Sequence, residues 1–341
     1  MDYEPWYQHK STEHDQILSS RIRLARNLQE VPFKSKLSAT DASANIRKLE
    51  DTVGKINLSR PMETLVAQDL RMVDELVFLE KHIISPAYIQ SEMAKGVFVD
   101  MHQNVSIMVN EEDHVRIQSV LPGNDLPRAL AKAIELDDLL ENLLDYAYDT
   151  ELGYLTACPT NVGTGLRASY MIHLPCLEST NTFKELFPII VQSGMTVRGL
   201  YGEGTKPMGG IYQLSNQVTL GVKEAQVIKD LAACAEQLIE HELQMLSKIQ
   251  EKRPYYLVDK AHRAYGILQN SRKMGLEEAM GFLSSIRLGV VSDYFEYNAD
   301  ITIYEIMMEI QPGHLHFAAG KTLSDLDTDL ARADYLRTKF K

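Results

Sequence analysis

No apolar run in this chain of 341 residues approaches the roughly 20 residues that a membrane-spanning helix needs. The first sixteen residues, MDYEPWYQHKSTEHDQ, carry neither the basic n-region nor the apolar h-region of a secretion signal. A cytoplasmic protein without a membrane partner is expected. Cysteine is scarce: Cys158, Cys176 and Cys234 are too few and too scattered for a disulfide framework, and no CxxC or Cys/His spacing suggests zinc. Positive charge is outweighed, with 35 Lys and Arg against 47 Asp and Glu for a formal net charge of -12. That balance argues against nucleic acid as a direct ligand, because binding a phosphate backbone needs a basic footprint. A basic partner fits better, although an acidic surface also simply keeps a protein in solution. Two nucleotide signatures are missing as well. Without GxxxxGK[ST] there is no Walker-type phosphate loop, and without HRD and DFG the chain is not a protein kinase of the common fold.

What is present is a composition of 45% hydrophobic and 24% charged residues, ordinary for a globular protein of about two domains. Internal repeats and low-complexity linkers are absent, so boundaries are read from periodicity. Up to about residue 222, strand-like runs (Val105 to Val109, Val115 to Leu121, Gly209 to Leu214) mix with helical segments. One helix is predicted from about Leu126 to Tyr148, after the Pro-Gly-Asn turn at 122 to 124. From Lys223 onward apolar residues recur three and four apart, with breaks near Pro254, Gly275 and the Gln-Pro-Gly loop at 311 to 313. The strands read as hairpin neighbours instead of a βαβ series, so the fold class expected is α+β, an antiparallel sheet with helices packed against it. A catalytic domain over 1–245 and a helical domain over 246–341 are expected.

Four segments concentrate arginines, carboxylates or glycine turns: Ser19-Ser-Arg-Ile-Arg-Leu-Ala-Arg-Asn27, Asn110-Glu-Glu-Asp-His-Val-Arg116, Cys158-Pro-Thr-Asn-Val-Gly-Thr-Gly-Leu-Arg-Ala-Ser169 and Arg198-Gly-Leu-Tyr-Gly-Glu-Gly-Thr205. Arg21, Arg23, Arg116, Arg167 and Arg198 sit beside strand ends, turns or glycine runs, from which a guanidinium can reach into a cleft. Singly each is a surface arginine; together they suit a triphosphate, whose transferred group is stabilised by bidentate cations and Mg²⁺. Gly163 to Ala168 matches GxGxxA, but it follows Cys-Pro-Thr-Asn instead of a long buried strand and has no βαβ frame, so a dinucleotide site is set aside. Glu111, Glu112 and Asp113 could be a solvated turn. A guanidinium acceptor, however, is charged and planar, and becomes a nucleophile only when carboxylates orient it and draw off a proton. Glu112 and Glu203 are the candidates for that pair.

In this order, from about Ser19 to about Gly221, the four segments resemble those of the phosphagen (guanidino) kinases. The resemblance implies ATP as cosubstrate, contacts to it from Ser20, Arg21, Ile22, Arg23, Arg116, Arg167, Arg198, Gly199 and Gly202, and a nucleotide border along Ala168, Ser169, Tyr170 and Met171. It makes Glu112 the catalytic carboxylate, gives Mg²⁺ or its waters to Glu111 and Asp113, and sets Cys158 against the acceptor guanidinium without a covalent bond. His82 is either a nucleotide contact or a surface histidine. A glutamate at position 203 resembles the arginine-specific members and favours an arginine acceptor.

Eighteen residues precede Ser19, where metabolite-phosphorylating members have a longer helical domain that covers the small substrate. An open site that admits a polypeptide arginine is therefore expected, along with a foreign helical region after about residue 245. Both features resemble the bacterial protein-arginine kinases, which act in stress responses, mark proteins for a Clp-type protease and inactivate a heat-shock repressor. Arginine-containing proteins are thus the expected substrates, with a Clp chaperone-protease and an activator protein as partners and a homodimer through the helical region. The C-terminal phosphoarginine motif of those kinases is altered here to Thr328-Asp-Leu-Ala-Arg-Ala333. Asp329 and Arg332 either form an allosteric phosphoarginine site with one cation fewer or pair three residues apart on an exposed helix. A free-arginine kinase and a catalytically idle phosphoarginine-binding adaptor are the alternatives. His314 and His316 lack further ligands at metal spacing and are expected to be structural.

Overall fold

The computed structural model describes residues 5–8, 15–56, 62–66, 70–100, 102–180, 182–199, 207–297 and 300–341. The strands are β1 (Ile17–Arg26), β2 (Met62–Val66), β3 (Gly96–Asp100), β4 (Val105–Val109), β5 (Val115–Pro122), β6 (Tyr148–Asp149), β7 (Gly153–Tyr154), β8 (Leu166–His173), β9 (Met195–Arg198) and β10 (Ile211–Asn216). Eight of them form a large sheet in the order β2-β3-β4-β5-β1-β8-β10-β9, and β6 pairs with β7. The helices are α1 (Ala39–Val53), α2 (Met72–Glu80), α3 (Pro86–Gln90), α4 (Leu126–Glu141), α5 (Pro175–Ser179), α6 (Thr182–Gln192), α7 (Glu224–Lys252), α8 (Pro254–Asn270), α9 (Leu276–Val291), α10 (Ile303–Glu309), α11 (Pro312–Ala318) and α12 (Asp325–Lys339). An antiparallel sheet flanked by helices, followed by a helical C-terminal region, is the α+β architecture expected from the sequence.

The chain divides into two compact units. The first comprises Met1–Trp6, Ser19–Ser169 and Ser215–Leu231; the second comprises Tyr7–Leu18, Tyr170–Leu214 and Ala232–Lys341. In the first, β2, β3, β4 and β5 pair as successive antiparallel neighbours and β5 pairs with β1. Val97 and Val99 of β3 and Met108 of β4, with Phe78, Ile83 and Tyr88, bury one core, against which Leu65 of β2 packs. The β4–β5 turn has no Asn-Gly, yet Asn110 supplies the left-handed residue it needs at φ 59°, a conformation that asparagine tolerates better than most residues. The Asn110 amide is held in place by the carbonyls of Ala42 and Ala94, at 2.9 and 2.8 Å.

The second unit is mainly helical. Pro254 and Pro312 begin α8 and α11, where proline's missing N–H has no helical partner to lose. Thr302 and Glu305 close a capping box on α10. Gly289 permits close approach of α8 and α9: a Cβ there would lie 2.6 Å from that of Ala261. Leu246, Leu257, Leu288 and Cys176 make a core between helices. The break expected at 311 to 313 falls between α10 and α11, with Gln311 as the non-helical cap and Pro312 the first residue of α11; in that helix His316 Nδ1 accepts from Leu323 N at 2.8 Å.

At the centre of this unit lies a fully buried cation, Arg287. It donates from Nη1 to His173 Nδ1 at 2.8 Å and from Nη2 to the Asp15 carbonyl. Because a guanidinium only donates, His173 accepts at Nδ1 and its Nε2–H donates to Ser284 Oγ at 2.8 Å. Burial first, then Arg287, holds His173 well below its ordinary value of 6.5. The unfolded chain takes up that proton and the folded one does not, so the stability it contributes is present above pH 6.5 and is lost as pH falls below it. That loss develops as pH is lowered from 7 to 5. His173→Gln is expected to flatten the decline in unfolding midpoint over that interval, as followed by chemical denaturation at each pH.

Candidate active site

β1 is buried throughout except at two alternate positions, Arg21 and Arg23. In the antiparallel register Arg23 faces Gln118 and Ala25 faces Arg116. Residues directly opposite share a sheet face, and so do residues two apart. Arg21, Arg23 and Arg116 therefore emerge on one face. Arg167 is the single partly exposed residue of β8. The electrostatics place it with the others: burial, followed by the charges of Arg21, Arg116 and Arg167, pulls Arg23 well below the ordinary guanidinium range, with Glu111 opposing. Arg23 Nε is buried without a hydrogen-bond partner among the described residues. Four cations thus converge on one face. Gln118 Nε2 donates to the His82 carbonyl at 2.5 Å, and burial with Arg21 and Arg23 lowers His82 to about 3, leaving it neutral beside the cluster.

The acidic turn 110–114 lies at the edge of that face. Arg116 joins both its glutamates, Nη1 to Glu111 Oε1 at 2.7 Å and Nη2 to Glu112 Oε2 at 3.1 Å. Glu111 is buried, with further donors in Ser85 Oγ and the Glu112 N–H, the latter at 2.6 Å. Burial alone would raise it, but Arg116, these hydrogen bonds and Arg23 hold it below the usual carboxylate range. The Glu112 side chain is 41% exposed, and it alone of the three carboxylates can meet an incoming group. Asp113 is fully buried; its Oδ1 accepts from Asn27 Nδ2 at 2.7 Å and from Ala157 N at 2.6 Å. That link ties the acidic turn to the segment carrying Cys158, whose Sγ is part-exposed and 3.0 Å from Thr160 Oγ1.

Residues 45–245 match the family model of the ATP:guanido phosphotransferase C-terminal catalytic domain. Residues 254–341 match that of the protein-arginine kinase McsB C-terminal domain. The protein-arginine kinase of Halothermothrix orenii is 40% identical over 337 residues, 98% of this chain and 95% of its own. That of Bacillus subtilis is 40% identical over 342 residues, 98% of this chain and 92% of its own. The chain belongs to the protein-arginine kinase family. Among solved structures, the duplicated taurocyamine kinase of Schistosoma mansoni with bound transition state analog components aligns at TM-score 0.62 and 26% identity, over 73% of this chain and 37% of that one. Lombricine kinase aligns at TM-score 0.62 and 22% identity, over 70% of this chain and 69% of its own, a likeness of fold.

Within this protein-arginine kinase fold the expected site residues fall into distinct groups. Arg21, Arg23, Arg116, Arg167, His82, Glu111, Glu112 and Ser169 are brought together, Ser169 Oγ accepting from Arg21 Nε at 3.4 Å. Ser20, expected at the nucleotide, has its hydroxyl committed to the 123–125 turn, donating to Gly123 O at 2.7 Å and accepting from Asp125 N at 2.8 Å. The side chains of Ile22 and Ala168 are buried. Glu111 and Asp113, expected to hold Mg²⁺ or its waters, direct their oxygens to protein donors, except for Asp113 Oδ2, which is buried and has no partner among the described residues. Among the described residues no group of three or more His, Cys, Asp or Glu side chains could hold a metal ion. Tyr170 and Met171, both buried, belong to the second unit, as do Arg198 at the end of β9 and Gly199. Glu203 and Gly202 lie outside the described residues.

On the helix carrying Asp329 and Arg332, the pair expected three residues apart is present, but not on an exposed face. Arg332 is bonded to Asp329 Oδ1 at 2.9 Å, three residues away, but it is buried, not displayed on an exposed helix. Its Nε and Nη1 donate to the carbonyls of Ile310 and Met274, both at 2.9 Å. Those contacts tie α12 to the ends of its neighbours. Arg332→Ala is expected to cost about 2–4 kcal/mol of stability, since two buried carbonyls lose their donor; an unchanged denaturation midpoint would contradict this role.

The positioning asparagines were not singled out by sequence. Asn27 and Asn161 lie inside the quoted motif runs and Asn216 two residues beyond the Gly209 to Leu214 run, yet nothing in residue type or spacing distinguishes an asparagine that bridges two loops from one that faces water.

Proposed function

We propose that this chain is an ATP-dependent kinase that transfers the γ-phosphoryl group to arginine side chains of proteins. The observation that carries this is the four-guanidinium face of Arg21, Arg23, Arg116 and Arg167 with the exposed carboxylate of Glu112 at its edge, supported by relatives at about 40% identity over nearly the whole length. Phosphoryl transfer places little covalent demand on a protein; positioning and charge stabilisation do most of the work. The arginine face binds and orients the triphosphate of MgATP, with Mg²⁺ entering on the nucleotide as part of the substrate, and Arg198 is proposed as a further phosphate ligand. Glu112 turns from Arg116 to the acceptor guanidinium, takes its proton as the nitrogen attacks, and leaves that nitrogen's lone pair in line with the γ-phosphorus. Glu203 serves as the opposing carboxylate and Cys158 lies against the acceptor without bonding to it.

Residues 1–245 are the catalytic part and 246–341 a helical regulatory or dimerising part, in keeping with the separate family-model matches. Among the described residues no helix is long and apolar enough to cross a membrane, and the protein is proposed to act in the cytoplasm. Its role is in stress response, with an activator and a Clp chaperone-protease as partners and a heat-shock repressor among its substrates. Incubating the purified chain with ATP and either free arginine or an unfolded arginine-rich protein tests the activity. Mass spectrometry at neutral pH should find acid-labile phosphate on arginines of the protein. Phosphate on the free amino acid only would make the chain a metabolite kinase, and no transfer to either would overturn the assignment.

A further inference from the structure

The short segment after β10 grips the Cys158–Ala168 loop along its length. Thr219 Oγ1 lies 3.0 Å from the Thr160 carbonyl oxygen and 2.7 Å from that of Val162, and the Thr219 carbonyl accepts from Thr164 N at 3.1 Å. Gly163, at φ 110°, makes this approach possible, because a Cβ there would collide with the Thr219 carbonyl. At the other end stands Asn216, 1% exposed. Its Oδ1 accepts from Ala168 N at 2.8 Å, and its Nδ2 donates to Leu166 O at 3.0 Å and to Val218 O at 3.1 Å. Leu166 O and Ala168 N are the main-chain groups on either side of Arg167, and both point to the same neighbour because strand residues two apart do so. The side-chain amide of the last β10 residue thus extends the contact between β10 and β8 to the place where β8 carries its arginine. The main-chain carbonyl of Asn216 accepts from Arg167 Nη1 at 3.1 Å, and Asn161 Oδ1 accepts from Nη2 at 3.3 Å.

We propose that Asn216 is a positioning residue for phosphoryl transfer: one side chain fixes the backbone on both sides of Arg167 while its carbonyl aims the guanidinium. A buried asparagine that only satisfied a loop would need contact with neither the backbone beside Arg167 nor its side chain. Here all these contacts converge on one arginine, and an arginine that binds phosphate usefully must be held before the ligand arrives. Asn216→Ala leaves the Arg167 charge and the main-chain carbonyl in place but removes the bonds to Leu166 O and Ala168 N, so the backbone that aims both is loosened.

The proposal rests on Arg167 being a nucleotide ligand, and a double-mutant cycle separates the two ideas. The full chain is assayed for protein-arginine phosphorylation as wild type, Asn216→Ala, Arg167→Ala and the double variant, reading kcat, KM for ATP and KM for the protein acceptor. Each single variant is expected to lower kcat/KM for ATP by about 10²-fold or more with KM for the acceptor little changed. Because Asn216 acts through Arg167, the double variant should fall within about threefold of Arg167→Ala alone. Multiplicative losses, or Asn216→Ala near wild type, would overturn the proposal while leaving Arg167 in place. An Arg167→Ala enzyme near wild type would instead remove the nucleotide role itself. Should Asn216→Ala not fold, Asn216→Asp, which keeps the shape and the Oδ1 acceptor but turns the donor into a second acceptor facing two carbonyls, carries the same expectations.

Discussion

Replacing Glu112 by glutamine is expected to lower kcat for arginine phosphorylation by about 10²- to 10⁴-fold, the usual cost of removing a positioned proton acceptor. The substitution keeps the shape of the side chain and, through the amide oxygen, an acceptor for Arg116 at the present 3.1 Å contact. With the side chain 41% exposed, no core is opened, so the unfolding transition should stay within about 0.5 kcal/mol of wild type. KM for ATP should change little, because phosphate contact is assigned to the arginines. An enzyme that retains near wild-type kcat would show that another group receives the guanidinium proton. Glu111→Gln makes the contrast: Glu111 is buried against Arg116, Ser85 and the Glu112 N–H, so its loss should appear in stability as well as in rate.

Parts of this fold are legible in sequence and parts are not, for identifiable reasons. Val105–Val109 and the strand beginning at Val115 stand out because their apolar runs are bounded by turn residues, and the structure places β4 and β5 there. β1 is harder to read, since Ser-Ser-Arg-Ile-Arg breaks the apolar pattern; the break is the functional face itself. α4 ends at Glu141, not near Tyr148 as its periodicity suggests. Tertiary pairing takes over: Asp145 O accepts from Gln29 N at 2.9 Å, and Ala147 N donates to Asn27 O at 2.7 Å. The same pairing carries the chain back past Asn27 to the loop of Cys158. At the site, the charged residues are legible because chemistry dictates their type. The network of Asn27, Asn216 and Ser85 that aims them is not, since its members act through distances that only folding creates.

Arg23→Met separates function from stability. In the absence of nucleotide, Arg23 is a part-buried guanidinium close to Arg21, Arg116 and Arg167, with Glu111 opposing them and Nε buried and unbonded among the described residues. Glu111 keeps its contact with Arg116 at 2.7 Å and its donors in Ser85 and the Glu112 N–H when Arg23 is replaced, so it loses only the weakest of the influences that hold it ionised. Methionine retains the apolar stem and removes one of four like charges, so the unliganded protein should gain about 1–2 kcal/mol, as buried ions replaced by apolar groups often do. The same change should lower kcat/KM for ATP by about 10³- to 10⁵-fold, the range over which one arginine acts on a transferring phosphoryl group. Thermal unfolding with and without ATP reads both effects. Wild type should be stabilised by about 2.7 kcal/mol at a nucleotide concentration 100 times its Kd, whereas the variant should begin higher and respond little. A variant that is less stable and still shifts with ATP would mean that Arg23 is a structural cation with partners of its own. A variant that is more stable and unresponsive would mean that the strain among the four arginines exists because a polyanion relieves it.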